Sequence, residues 1–255
     1  MRYLFPIFFA FLSPLIAEEA ELSKNDSNNT EVSSTQKNEE PAIVRLPDGM
    51  MKIGEVTFDP KNRQIRVPCT INTLDELLEF ALVHENGKIH ESLLATTASP
   101  LHIHLAMKML RYTASEELYF IEKEKGVSSG KFPQVAQEIR NAARIQLSLE
   151  FVKQEKTFKL PIRDLIVNTV TETTMPEEDW IFGGSFMSDG KFYAETSGEI
   201  ACIFVSRGSL MLFAGKENQN DEVWIANTKR LPAVGSKATF IIEPKEIPKI
   251  DTKKP

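Results

Sequence analysis

The sequence has few of the residues on which common cofactor sites depend. Its 255 residues include two cysteines and four histidines. Two cysteines cannot ligate a four-iron cluster, which takes four. The chain has no G-x-G-x-x-G fingerprint, and Glu217 stands where a phosphate-binding loop would need Ser or Thr after Gly215-Lys216. We therefore expect no bound cofactor.

Long apolar segments and basic runs are also missing after residue 17. No later segment has the 18 consecutive apolar residues typical of a membrane-spanning helix. The net charge of the whole chain is −6. Most of this negative charge lies in residues 18–42, where seven acids stand against two lysines. The remaining domain is close to neutral and has no basic patch, so we expect no nucleic-acid partner.

The first 17 residues have the pattern of a secretory signal peptide. Arg2 precedes an apolar stretch of about 14 residues, which is too short to span a bilayer and ends at Ala17. Cleavage there would release a periplasmic or secreted protein with no membrane span. The alternative is an uncleaved N-terminal anchor.

The remaining boundaries follow from composition. Residues 18–42 are too polar and acidic to bury a core, which predicts a disordered acidic linker. Residues 43–247 are long enough for a single domain, and residues 248–255 form a Lys-rich tail that we expect to be flexible.

Strand-like patterns dominate residues 43–247. They predict an α+β fold that is mostly antiparallel β-sheet, with one clear helix and one or two short ones. Residues 52–72 read as a hairpin, and residues 78–96 read as a second hairpin with Asn86-Gly87 as a type I′ turn. Ser99 and Pro100 are a helix start signal for residues 100–110.

The second half of the domain continues this pattern. Residues 133–142 are either a short helix or part of an insertion, and Asp189-Gly190 marks a tight turn. Strands are predicted in the segments RIQLSLEFV, KTFKLPIRDLIV, DWIFGGSFM, GKFYAETS, EIACIFVS and SKATFIIEP.

All four histidines lie between positions 84 and 104. In the predicted hairpin, His84 and His90 point to opposite faces, and His102 and His104 are about 200° apart on the predicted helix. At most one histidine from each element can then converge, whereas catalytic zinc usually has three protein ligands. We therefore expect no metal site. His90 and His102 are the candidate ligands in the alternative case.

The two cysteines, Cys69 and Cys202, both lie in strand-like segments. In an oxidising compartment they are able to form a disulfide, and the alternative is two buried free thiols.

Ser185 and Trp180 belong to an apolar strand with a glycine-rich end. Ser185 has little support as a nucleophile, because Met187 replaces the last glycine of a G-x-S-x-G elbow. Trp180 is interpreted as a core anchor, with ligand stacking as the alternative.

Three ordered blocks resemble the YdjY-domain family of exported bacterial proteins. They are HENGKIHESLLATTASPLHIHLAMKML (84–110), EDWIFGGSFMSDGKFYAETSGEIACIFVSRGSLMLF (178–213) and WIANTKRLPAVGSKATFIIEP (224–244). The resemblance implies a helix over residues 221–231. It places His90, Glu91, His102, Trp180 and Ser185, with Asp179 and Gly184, at recurring positions, but it supplies no agreed catalytic residues.

Taken together, these features predict a non-enzymatic binding or interaction module of the cell envelope, whose partner is an unknown protein or small molecule. Its candidate functional cluster is His90, Glu91, His102, Trp180 and Ser185. One alternative is a metal-dependent or acid-base enzyme that uses the His84–His104 region. Another is a structural envelope protein, of which a large exposed apolar patch would be a sign.

Overall fold

A computed structural model describes residues 43–124 and 127–245. The predicted signal peptide, linker and Lys-rich tail lie outside these residues. The helices are α1 (Pro100–Met109), α2 (Gln137–Ala142) and α3 (Tyr193–Ser197). The strands are β1 (Ile43–Arg45), β2 (Met51–Ile53), β3 (Val56–Asp59), β4 (Gln64–Ile71), β5 (Phe80–His84), β6 (Ser92–Thr96), β7 (Glu122–Glu124), β8 (Val127–Ser128), β9 (Arg144–Lys153), β10 (Lys156–Pro161), β11 (Ile166–Asn168), β12 (Trp180–Phe182), β13 (Met187–Ser188), β14 (Lys191–Phe192), β15 (Glu199–Cys202), β16 (Met211–Phe213), β17 (Trp224–Ala226) and β18 (Lys237–Pro244).

The main sheet closes into a barrel-like ring of 8 strands in the described part of the chain. The order is β4-β18-β9-β12-β16-β15-β5-β6, and a short pairing of β6 with β4 completes the ring. Strands β1 to β3 extend the sheet beyond β4, and β10 adds to β9. The predicted class, a mostly antiparallel α+β fold with few helices, is confirmed. Closure leaves the eight ring strands without an open sheet edge along most of their length.

The core is built from alternate residues of the long strands. In β4 the buried residues are Ile65, Val67, Cys69 and Ile71, which alternate with more exposed neighbours. Phe240 of β18 is fully buried and lies opposite Val67 on one side and Leu149 on the other. The period of two in these segments therefore indicates their inward face correctly.

Helix α1 begins and packs as its sequence predicts. The Ser99 side chain accepts a hydrogen bond from the His102 amide, and Pro100 is the first helical residue. Ile103, Ala106, Met107 and Leu110 are buried, at a spacing that forms one face of a helix.

One of the two predicted hairpins is confirmed, and the other is wrong. Strands β3 and β4 pair antiparallel within residues 52–72, as predicted, although a turn at Gly54-Glu55 divides the first arm into β2 and β3. Strands β5 and β6 of residues 78–96 are parallel neighbours instead, with Phe80 opposite Ser92 and His84 opposite Thr96. A 3-10 helix, Ile89–Glu91, lies in the short connection that returns the chain to the start of β6.

The structure gives a physical reason for this error. Gly87 serves a close backbone contact rather than a type I′ hairpin turn. A Cβ atom on Gly198 would lie 2.7 Å from the Gly87 Cα atom and 2.9 Å from its nitrogen. The glycine at position 87 thus allows the end of α3 to approach the end of β5, where His84 N donates to Gly198 O.

Three other segments test two predictions from local sequence patterns and one expectation from the family resemblance. The Asp189-Gly190 turn is confirmed between β13 and β14, with positive φ at both residues. The strand predicted in GKFYAETS is wrong after Phe192, where α3 begins and then ends at the left-handed Gly198. The helix implied for residues 221–231 is wrong, because Trp224–Ala226 pair with β11.

Residues 133–142 contain the short helix α2, so the helix predicted as one alternative for that segment is present from Gln137 onward.

Among the described residues, no helix has the length and apolar character needed to cross a membrane.

Candidate functional site

The structure does not assemble the five candidate residues into one site. The His90 side chain is 78% exposed on the 3-10 helix after β5, and its Nε2 atom lies 3.7 Å from Glu91. Glu91 is directed to Lys88, whose Nζ atom is 3.0 Å from Glu91 Oε1. Lys88 also lies 3.5 Å from Glu79, and the nearby Glu91 carboxylate adds to burial in raising the pKa of Glu79.

His102 packs elsewhere, against the turn between β2 and β3. A Cβ atom on Gly54 would lie 2.3 Å from His102 Nδ1, so the imidazole ring rests directly on the glycine. Within residues 43–124 and 127–245, no three His, Cys, Asp or Glu side chains are grouped as they would be to hold a metal ion. His90, Glu91 and His102 therefore do not combine into the catalytic arrangement of the alternative hypothesis.

His104 points away from His102 and is the more buried of the two. Its ring lies 4.8 Å from that of Phe192 and 5.8 Å from that of Phe182, measured between centroids. Its Nδ1 atom is buried and has no hydrogen-bond partner in the described structure. Burial, followed by the charge of Lys108, lowers the pKa of His104.

This lowered pKa predicts a pH dependence of stability. The unfolded chain takes up a proton near pH 6.5 that folded His104 resists, so the free energy of unfolding should fall as the pH drops below about 6.5. We expect the variant His104→Gln to lose less stability than the parent between pH 7.5 and 5.5 in urea titrations. The matched control is Thr157→Gln, at an exposed position of β10 with no ionisable side chain, whose stability should change with pH as that of the parent does. A His104→Gln profile identical to that of the parent would contradict the assignment.

Ser185 has a structural role at the start of α3. Its φ angle is +56°, and its Oγ atom accepts a hydrogen bond from the Ala194 amide. The preceding glycines, 183 and 184, both donate their amides to Leu210 O. A hydroxyl that accepts a backbone amide at a helix start is a capping group, not a nucleophile activated by a base.

The two cysteines are buried, free thiols in the structure. Burial raises the pKa of each thiol to about 12. A thiol reagent such as 5,5′-dithiobis-(2-nitrobenzoate) should therefore react with neither Cys69 nor Cys202 in the native protein and with both after unfolding. Failure of the unfolded, unreduced protein to react would instead reveal a disulfide.

Trp180, the remaining candidate, lies at a cleft beside β9. Its side chain is 5% exposed and packs against Phe213 at a ring distance of 5.6 Å. On the edge of β9 that faces away from β18, β10 pairs from Ser148 onward and β12 pairs only with Arg144 and Ile145. Between the end of β10 and the start of β12, Gln146 and Leu147 have no strand partner on that edge.

We call this opening the β9 cleft. It has a volume of about 350 Å³. Its walls come from β9, the end of β10 with the residues that follow it, the segment before β12, and the end of β18. They are formed by Ile145, Gln146, Leu147, Ser148, Lys159, Pro161, Arg163, Glu177, Glu178, Trp180, Glu243 and Lys245.

Two polar groups of the β9 cleft are unsatisfied. Ser148 is 9% exposed, and its Oγ atom is buried without a hydrogen-bond partner. Arg163 forms no hydrogen bond within the described residues, and its closest carboxylate oxygens are 3.5 Å away on Glu177 and 3.9 Å away on Asp164. Buried polar groups such as the Ser148 hydroxyl are nearly always paired in folded proteins, and Arg163 is a partly exposed donor beside it, so the cleft is suited to a ligand.

The other cations at the cleft are already paired. Lys159 Nζ lies 3.0 Å from Glu243, which also accepts a 2.7 Å hydrogen bond from Gln64. Lys245 Nζ donates to Asp179 at 2.6 Å. Since both lysines have partners, Arg163 is the cation at the cleft wall with the loosest ion pairs.

A partly buried ion network lies next to the cleft. Arg144 contacts Glu117 at 2.6 Å and Asp179 at 2.7 Å, and Arg140 contacts the other oxygen of Glu117 at 2.8 Å. Through Asp179 this network reaches Lys245. It therefore holds together the starts of β9 and β12, from which the cleft opens.

The ionisable groups that line the cleft are glutamates, lysines and one arginine. Its lining includes no histidine or cysteine, and the Ser148 hydroxyl has no hydrogen-bond partner among the described residues. Of the five residues predicted as a cluster, Trp180 is the one that lines the cleft as described.

Sequence reasoning missed Ser148, Arg163 and Lys245. Gln146, Ser148 and Glu150 alternate with apolar residues, which marks them as one polar face of β9. Nothing in that alternation indicates that Pro161 of β10 lies directly opposite Ser148 and contributes to its burial.

The amino-acid sequence matches one known protein family. The model of the YdjY domain matches residues 56–243 of the 255-residue chain. The chain therefore belongs to the YdjY domain family. No curated protein and no solved structure matches it.

Proposed function

We propose that this protein is an exported, non-enzymatic module of the cell envelope that binds a small molecule in the β9 cleft. The observation that carries the proposal is the pairing of an open cleft of about 350 Å³ with an unsatisfied, buried Ser148 hydroxyl. That volume lies near the lower end for small-molecule sites. The position of His102 against Gly54, away from the His90–Glu91 pair, supports binding over catalysis.

The test is to detect a ligand that depends on the cleft. We would purify the protein and measure its mass under native conditions, beside the variant Gln146→Trp. Gln146 is exposed and lines the cleft, so a tryptophan there should fill the space without disturbing the core. The matched control is Thr157→Trp, at an exposed position of β10 that does not line the cleft.

A bound small molecule in the parent and in Thr157→Trp, but not in Gln146→Trp, is the expected result. The ligand should be released chemically unchanged, and the triple variant His90→Ala/Glu91→Ala/His102→Ala should retain it. Conversion of the ligand that stops in the triple variant would favour the enzyme hypothesis instead.

Export is a separate part of the proposal and rests on residues 1–17. The mature protein should begin at Glu18, which intact-mass measurement after expression in a Gram-negative host determines directly. A mass that includes the apolar segment would favour the uncleaved anchor.

Protein interaction is a second candidate function, because one segment carries exposed aromatic residues. Phe120 and Phe132 are 37% and 47% exposed, and their rings stack at 4.4 Å. Ile121 beside them is 47% exposed. Apolar side chains grouped at a surface are typical of interaction sites. Sedimentation velocity of the parent and of Phe120→Ser/Phe132→Ser tests whether this surface mediates self-association.

A further inference from the structure

The β9 cleft contains one cation that is poorly matched by its neighbours. The Arg163 side chain is 38% exposed, and its Nη1 atom lies 3.5 Å from a Glu177 carboxylate that is itself 75% exposed. An ion pair this open to solvent contributes little to stability, since water and salt screen it. A ligand anion can therefore displace Glu177 from Arg163 at little cost.

The second feature is the Ser148 hydroxyl. It belongs to a side chain that is 9% exposed and has no partner for its Oγ atom. Ser148 lies opposite Ile241 of β18 and Pro161 of β10, so neither neighbouring side chain can offer it a hydrogen bond. A shift of the cleft wall that admits a ligand oxygen to this atom would satisfy a group that otherwise bears the cost of burial.

The carboxylates at the cleft do not provide an equivalent site for a cation. Glu243 is occupied by Lys159 and Gln64. Glu177 and Glu178 are exposed residues in the segment that leads into β12. The Arg163 guanidinium is a donor only, and the Ser148 hydroxyl is able to donate as well as accept, so an acceptor-rich, anionic ligand suits both groups.

The apolar part of the cleft indicates an organic ligand rather than a bare ion. Pro161 lines the same space as Arg163, and the largely buried Trp180 borders it. A guanidinium group presents two parallel N–H donors that match the oxygens of a carboxylate or phosphate.

We infer that the β9 cleft binds a small organic anion, whose carboxylate or phosphate oxygens are held by the Arg163 guanidinium and the Ser148 hydroxyl. The carbon skeleton of the ligand then packs against Pro161 and Trp180. This inference rests on the proposed binding function and specifies its ligand class.

The experiment is isothermal titration calorimetry of the purified protein in 150 mM sodium chloride. The probes are succinate and benzoate as carboxylates, phenyl phosphate as an organic phosphate, inorganic phosphate as a bare anion, and glucose as a neutral ligand. The variants are Arg163→Ala, Arg163→Lys and Ser148→Ala. Arg45→Ala is the matched control, because it removes an exposed arginine of β1 that does not line the cleft.

We expect at least one organic anion to bind with 1:1 stoichiometry and more tightly than inorganic phosphate. Arg163→Ala should weaken it at least about tenfold, the range for a charge-assisted hydrogen bond. Arg163→Lys should also weaken it, since an ammonium lacks the planar fork, and Ser148→Ala should weaken it about threefold. Arg45→Ala should change the affinity less than about twofold.

Three results would overturn the inference. The first is anion binding that Arg163→Ala leaves unchanged, and the second is binding of inorganic phosphate as tight as that of any organic anion. The third is binding of glucose alone, which would leave the proposed function standing with a different ligand class. The proposed function itself fails on a different measurement, namely a native mass spectrum without a ligand that Gln146→Trp removes.

Discussion

Replacement of Arg144 with methionine should lower the free energy of unfolding by about 3 kcal/mol, the lower end of the cost of breaking a buried ion pair. The Arg144 and Glu117 side chains are 12% and 8% exposed, so removal of the arginine leaves a buried carboxylate that cannot regain full hydration. Glu117 keeps Arg140 as a partner, which limits the loss. For a domain of this size the melting temperature should fall by roughly 6–12 °C.

The matched control is Arg66→Met on the neighbouring face of the barrel. Arg66 also pairs with a glutamate, Glu150, but the two side chains are 27% and 33% exposed. Its replacement should cost less than about 1 kcal/mol. Urea unfolding followed by circular dichroism measures both values. Equal costs for Arg144→Met and Arg66→Met would mean that the network around Asp179 does not hold the starts of β9 and β12 together.

Replacement of Gly198 with alanine should cost about 3 kcal/mol, of which roughly half arises from a collision that sequence patterns do not reveal. Gly198 ends α3 with a φ angle of +75°, where any side chain is strained. In addition, the new Cβ atom would approach the backbone of Gly87 to 2.7 Å. Backbone atoms cannot rotate away as a flexible side chain would, so β5 and α3 must separate.

The variant Gly190→Ala measures the strain of the left-handed backbone without the collision. Gly190 has nearly the same φ angle, +74°, but a Cβ atom there would meet nothing within 4 Å. Its replacement should therefore cost only the left-handed strain, about 1–2 kcal/mol. Thermal and urea unfolding of the two variants gives the difference. A Gly198→Ala protein no less stable than Gly190→Ala would contradict the close approach of Gly87 and Gly198.

A comparison of Gly190 with Gly87 shows why the pairing of β5 with β6 was mispredicted. Asp189-Gly190 forms the tight turn that its sequence predicts, because its neighbours along the chain decide the conformation. Asn86-Gly87 carries an equally good turn signal, yet its glycine is required by a contact with residue 198. A local signal identifies where glycine is needed but not whether a turn or a distant backbone needs it.

The residues of the candidate site also divide into one that the sequence indicated and others that it did not. Trp180 was identified from the sequence because the family resemblance places it at a recurring position, whereas its place at the start of an apolar strand favoured a core role. Ser148 and Arg163 were missed, because their importance lies in what they fail to contact: an unpartnered hydroxyl and a guanidinium without hydrogen bonds. Such unsatisfied groups are properties of the assembled surface and leave no pattern in the sequence.

By itself the sequence determined the fold class, the capped helix after Ser99, the inward faces of strands such as β4, and the family. Each of these depends on residues a few positions apart, whose preferences act before the chain is folded. The tertiary structure alone decided the parallel pairing of β5 with β6, the dispersal of His90 and His102, and the opening beside β9. These features depend on which strands become neighbours across long separations, and that choice is made by packing over the whole barrel rather than by any single segment.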